Sequence, residues 1–271
     1  MDRNHFFSSL LGLSFGNQMR SNPEGLNRSL KTELNCRLVL AGLLVVSFSS
    51  LTKPTLSMRA AASPLRSIQQ SSRDPRYPAH WWTPVSTAGK PDWEILPQEA
   101  GPGEVILSKR NELGLLSNFA ATPFVFRGQR YASLEGFWQM MLYPEGPHDP
   151  RAKAPGLEWK YTRAQVARMA SFEAKSAGTL AEENMKRMGI NWATFRGKRF
   201  CYRASVPGEH YRLIVAATRA KVSQNAEVRK ALLETGDLIL KPDHHPEPNA
   251  PAEWRYFEIL TQIRSELQKR K

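Results

Sequence analysis

Along the chain the spacing of apolar positions changes several times, and each change predicts an element. Glu104–Lys109 (EVILSK) is a short apolar run and reads as a strand. Pro123–Tyr131 (PFVFRGQRY) reads as a hairpin with Arg127-Gly128-Gln129 at its turn. Ser133 caps a short apolar helix that runs to about Leu142. Tyr143 to Leu157 is rich in Pro and Gly and reads as a loop. Thr162–Met188 carries helical periodicity, divided into two helices and ended by Gly189. Glu209–Gln224 and Ala226–Thr235 read as helices, the second stopped by Gly236. Asp237–Lys241 (DLILK) reads as a short strand, and a Pro-rich loop leads to a last helix, Glu253–Lys269. No internal repeat is read. The expected fold is a mostly helical α+β single domain with a few short strands, over residues 104–271.

The pattern upstream is different. Residues 1–70 hold one apolar run, Leu38 to Phe48, preceded by Arg37. That run is shorter than the roughly 20 residues a bilayer span needs, so no stable membrane span is expected. Its length fits the apolar stretch of a secretory signal, but Lys53 and Arg59 interrupt the approach to Ala60-Ala61-Ala62. An Arg- and Ser-rich, acid-poor segment also suits an organellar transit peptide. A start at Met58 would instead give a cytoplasmic product. These three readings stay open, and 1–70 is left out of the fold as a targeting or non-structural segment. Residues 71–103 carry six prolines with Trp81, Trp82 and Trp93 between them. They read as an extended arm that packs its indoles onto the domain.

Composition narrows the classes. A chain of 271 residues, 41% hydrophobic, is long enough for a sizeable core in one or two domains. Two cysteines, Cys36 and Cys201, exclude a disulfide scaffold and a cysteine-rich zinc site, and Cys201 reads as a buried spectator thiol. The formal charge is +13, of which residues 1–70 supply +5 and the remainder +8. The excess therefore survives removal of the N-terminal segment. Such a field favours nucleic acid, nucleotides, phosphates or anionic membrane. No G-x-x-x-x-G-K-[ST], strand–GxGxxG–helix or HExxH pattern occurs, and His244-His245 has no accompanying Cys. No metal and no cofactor is expected.

Four segments could carry chemistry. On the helix Leu134–Leu142, apolar side chains cover more than half the circumference, so it should be buried. Glu135 and Gln139 sit one turn apart on the side that remains. A carboxylate at the edge of a buried helix must be paired, protonated or functional. Pairing with one of the many Arg or Lys residues is the plain alternative. Before it, Ser117, Asn118 and Phe119 suit a loop that grips a heterocycle, or a capping turn with a core Phe. Lys175 lies among small residues of Phe172–Gly178; it is a phosphate or carbonyl partner, or a solvated helical lysine. Arg219 and Lys221 form a basic patch near Gln224 and Asn225, or a solvated helix face.

Together these segments resemble the NADAR superfamily of YbiA-like proteins. The resemblance rests on Gly114-Leu115-Leu116-Ser117-Asn118-Phe119, then Pro123-Phe124, Gly128, and Tyr131-Ala132-Ser133-Leu134-Glu135 with Gln139. It continues through Ala167-Arg168-Met169, Lys175, Ala217–Asn225 and Leu232–Asp237, over roughly residues 104–265. Leu142 stands where the family commonly has lysine. Asn249–Phe257 replaces a Gly-rich loop, and roughly Phe195–Gly208 looks inserted.

The resemblance implies hydrolysis of an N-glycosidic bond between a phosphorylated ribose and a nitrogenous base. One associated substrate class is the phosphoribosyl intermediates of riboflavin biosynthesis; the other is ADP-ribose on guanine in nucleic acid. It implies an essential Glu135. Beside it, Gln139 would orient water or a ribose hydroxyl. Phe119 and Trp138 would wall the base, and Ser117 and Asn118 would hydrogen-bond it or the sugar. Lys175, Arg219 and Lys221 would contact phosphate, or Lys175 would trap an opened ribose as a Schiff base. A module that binds ADP-ribose or a nucleotide without cleaving it is the competing class.

Overall fold

The computed structural model describes residues 74–270. The readings of 1–70 as a leader and of Met58 as a start lie outside the described residues.

Six short strands pair into three two-stranded sheets among the described residues. β1 (Glu104–Ile106) runs parallel to β6 (Ile239–Lys241), with Val105 opposite Leu240. β2 (Phe124–Phe126) and β3 (Gln129–Tyr131) form the expected hairpin. β4 (Trp192–Phe195) and β5 (Lys198–Cys201) form a second hairpin, whose turn and second strand fall in the stretch read as an insertion. Its turn, Phe195-Arg196-Gly197-Lys198, has the same local signal as the turn of the first hairpin. Cys201, at the end of β5, is not a free thiol, which corrects its reading as a spectator.

The helices are α1 (Leu134–Met140), α2 (Arg163–Val166), α3 (Ser171–Arg187), α4 (Glu209–Gln224), α5 (Ala226–Glu234) and α6 (Tyr256–Gln268). The last is shorter than expected because Ala252–Trp254 forms a separate 3-10 turn and Arg255 leaves helical geometry. The chain is thus an α+β domain, mostly helical. No helix among the described residues is long and apolar enough to cross a membrane.

Helix α1 is the centre of the fold, and all seven of its residues are buried. Ser133 starts it: its Oγ accepts from Gly136 N at 2.8 Å and donates to Met169 O at 2.9 Å. Gly136 is required there. A Cβ would lie 2.5 Å from Met169 O and 2.9 Å from Val166 O, so only glycine lets α1 approach the α2–α3 junction. Phe137 packs edge-on against Tyr131 at 4.9 Å.

The Pro-rich segment is packed into this core. Trp81 and Trp82 are buried, with their indoles donating to Glu112 Oε1 and Glu104 O. Farther along, Ile95 N donates to Asp243 O at 2.8 Å and Glu94 bridges to His244. The segment therefore reaches the turn after β6 and places Trp93 beside it.

Candidate active site

Around one side of α1 lies a cavity of about 380 Å³, within the range of small-molecule sites. Glu135, Trp138 and Gln139 line it from α1, Ser117, Asn118 and Phe119 from the preceding loop, and Lys175 from α3. Seven of the nine site residues expected from the sequence are thus brought to one place.

Glu135 is 6% exposed and Gln139 3%. Gln139 Nε2 donates to Glu135 Oε1 at 2.8 Å. No cation of the described residues lies within ion-pairing distance of Glu135, so the plain alternative of a paired carboxylate is not met. Burial pushes its pKa up; the Gln139 bond and the charges of Lys175 and Lys109 oppose that shift. The structure therefore holds a desolvated carboxyl group that keeps its proton to higher pH than an exposed carboxyl does.

Three consecutive carbonyls hold the neighbouring loop. Ser117 O accepts from Lys221 Nζ at 2.7 Å, Asn118 O from Glu135 N at 2.9 Å, and Phe119 O from Ser171 N at 3.0 Å. Helices α4, α1 and α3 each supply one donor, which fixes the Phe119 ring at the cavity wall. Phe172 meets that ring edge-on at 5.2 Å.

Arg219 and Lys221 are not among the residues that line the cavity. Arg219 forks onto the exposed Glu266 carboxylate at 2.6 and 3.0 Å. Lys221 is 1% exposed, and desolvation lowers its pKa to about 7. Its amine ties down the loop from behind rather than facing a phosphate. Helical spacing carried that signal: Ile214, Thr218 and Lys221 share the buried face of α4.

Other cavity residues were missed. Lys109, at the end of the strand segment, pairs with the buried Asp243 and lies over the rings of Phe119 (5.4 Å) and Trp93 (5.7 Å). The β1–β6 pairing creates this contact across the length of the domain, and nothing local announces it. Tyr202 donates to Glu182 Oε1 at 2.8 Å and accepts from Trp138 Nε1 at 3.3 Å, which sets the indole plane. Burial, reinforced by Glu182, pushes its phenol well above the ordinary value. Trp254 and Tyr256 close the far wall. Gln139 Oε1, Trp254 Nε1 and Tyr256 Oη are buried without a hydrogen-bond partner. Each is a polar atom on a cavity-lining side chain, and leaving such atoms unpaired is costly. Among the described residues no cluster of His, Cys, Asp and Glu suits a metal ion.

No family model and no curated protein matches this chain. Among solved structures it is similar to the NMR structure of the E. coli protein YbiA, with 22% identity and a TM-score of 0.39. The match covers 63% of this chain and 89% of that one.

Proposed function

We propose that this cavity hydrolyses the N-glycosidic bond between a phosphorylated ribose and a nitrogenous base. The observation that carries the reading is Glu135: a buried carboxyl with no cationic partner among the described residues, held by Gln139, at an aromatic-walled cavity. Such a bond breaks through a ribose cation, and a desolvated carboxylate near C1′ stabilises that charge. Water adds through oxygen to C1′, the C1′–N bond breaks, and Glu135 takes the water proton. The departing nitrogen takes a proton from solvent. Phe119 and Trp138 flank the base, and Ser117 and Asn118 bond it or the sugar. Lys175 and Lys109 are the cations of the cavity lining that meet phosphate; Arg219 and Lys221 leave that role.

The preferred substrate is a small phosphorylated riboside of the riboflavin-intermediate type. ADP-ribosyl-guanine in nucleic acid is the second. The test offers both substrates, a phosphoribosylaminopyrimidine and an oligonucleotide carrying ADP-ribosyl-guanine, and follows free base or free guanine by chromatography. Release from the small riboside with the higher kcat/KM supports the reading. A tenfold preference for the oligonucleotide would move the assignment to the second substrate. Calorimetric binding without release from either would make the protein a binding module.

A further inference from the structure

Two turns on the far side of α1 repeat one another. Phe126-Arg127-Gly128-Gln129-Arg130-Tyr131 and Phe195-Arg196-Gly197-Lys198-Arg199-Phe200 have one pattern: Phe-Arg-Gly, a polar residue, Arg, then an aromatic. This short repeat corrects the expectation that the chain has none. Both are two-residue hairpins in the same register, Phe126 opposite Gln129 and Phe195 opposite Lys198. The two phenylalanines stack at 6.2 Å with their planes 20° apart. Phe137 of α1 meets each of them edge-on at 5.5 Å. The hairpins thus lie side by side across one helical side chain. Phe137 is about 200° around the helix from Glu135 and from Gln139, so the turns face away from the cavity.

The tips are basic. Arg127, Arg130, Arg196, Lys198 and Arg199 are all exposed. Lys198 pairs with Glu209 at 3.0 Å, and Arg199 lies over Trp192 at 4.0 Å. Arg127, Arg130 and Arg196 have no acid within ion-pairing distance among the described residues. Glu145, the acid beside the second turn, is occupied by Gly197 N at 3.0 Å and Arg163 at 3.8 Å. Arg127 rests over both stacked rings, at 5.3 and 5.5 Å, which holds its guanidinium in place.

The backbone adds a second observation. Arg127 and Arg196 have φ of +50° and +52°. A two-residue turn with positive φ at both positions favours Asn-Gly, and a longer side chain there is strained. The chain places arginine at this position in both turns. Residues that break a local rule twice in the same way mark function more often than fold.

We propose that the twin Arg-Gly turns form a docking surface for the phosphate backbone of a nucleic-acid strand, separate from the cavity. Guanidinium forks match phosphate oxygens, and a strand offers successive charges roughly 3.4 Å apart along its axis. An anionic membrane is the poorer fit, because the turn residues are Arg, Gly, Gln and Lys, with no large apolar side chain to insert. The surface does not depend on the proposed hydrolysis.

The test measures binding of the full chain to a fluorescent mixed-sequence single-stranded oligonucleotide across a salt series. The variant is Arg127→Asn/Arg130→Gln/Arg196→Asn, whose Asn-Gly turns suit the backbone. The charge-matched control is Arg76→Gln/Arg219→Gln/Lys230→Gln, which removes exposed cations that already have acid partners. The hairpin variant is expected to bind at least about tenfold more weakly near 0.1 M salt, with log K against log salt shallower by about 2. The control should lose under threefold. Should the triple variant fail to fold, Arg130→Gln alone should flatten the slope by about 0.7. No binding by the parent chain, or equal losses in both variants, would overturn the proposal. So would loss confined to vesicles of phosphatidylcholine and phosphatidylserine. Base release from a small riboside should be unchanged in the hairpin variant, so failure of docking and failure of hydrolysis are read separately.

Discussion

Gln139 lies against Gly178 with no room for a side chain between them: a Cβ on Gly178 would sit 1.9 Å from Gln139 Oε1 and 2.2 Å from its Cδ. Helix α3 thereby leaves a slot in which the amide lies and reaches Glu135. Gly178→Ala gains about 1 kcal/mol of helix propensity, but a clash this close with a buried amide costs about 1–3 kcal/mol or more. The variant should therefore be less stable in thermal unfolding, and it should lose hydrolysis because Gln139 no longer donates to Glu135. Adding Gln139→Ala should recover most of the stability and none of the activity. Recovery of both would mean that the Gln139 contact is packing alone.

Glu135 also makes stability depend on pH. Its folded pKa is raised above the ordinary 4.5. Its contribution is then fully present below 4.5 and is lost as pH rises through the folded value, where the buried group must ionise. Glu135→Gln removes that loss. Urea unfolding should show the variant more stable than the parent at pH 7, with the difference shrinking toward pH 4. A variant less stable at pH 7 by the same margin as at pH 4 would contradict the raised pKa.

Lys221 acts with the opposite sign. Its folded pKa of about 7 lies below the ordinary 10.5. Between those values the unfolded chain holds a proton that the folded chain lacks, so stability rises with pH across this window. Its contribution is full above 10.5 and is lost as pH falls through about 7. Lys221→Met lacks this dependence but leaves Ser117 O without its donor. The parent should gain on the variant between pH 7 and pH 9.5 in urea unfolding. Parallel curves would show that the amine keeps its charge in the fold.

Trp81 tests the role of the Pro-rich segment. It is fully buried and its indole bonds Glu112. Trp81→Ala should cost about 3–5 kcal/mol, read as a lower urea midpoint. A chain beginning near Ser72 should keep a cooperative transition, whereas one beginning at Glu104 should lose it. Equal unfolding curves for all of them would mean that this segment is not part of the core.

The elements that could be read in advance are those whose information is local. Ser133 announces α1 by capping it, and the apolar positions of α1 announce its burial. Glu135 stood out because a carboxylate on such a helix is costly wherever it points. The second hairpin was equally local, since Phe195–Phe200 repeats Phe126–Tyr131. Lys109 beside Asp243 was not legible, because parallel strands from the two ends of the domain make the contact. The burial of Lys221 follows from its helical position beside the buried Thr218 and Val222, which its charge alone does not announce. Tyr202 reaches the cavity only because β5 ends beside Trp138.

The central claim is that Glu135 performs the chemistry of the cavity. It is tested most directly by measuring free-base release from a phosphoribosylaminopyrimidine by the parent chain and by Glu135→Gln, at equal concentration and with folding verified. The substitution keeps the shape of the side chain and removes its charge. Hydrolysis should fall by about 100-fold or more while substrate still binds. Release by Glu135→Gln at near the parental rate would contradict the account.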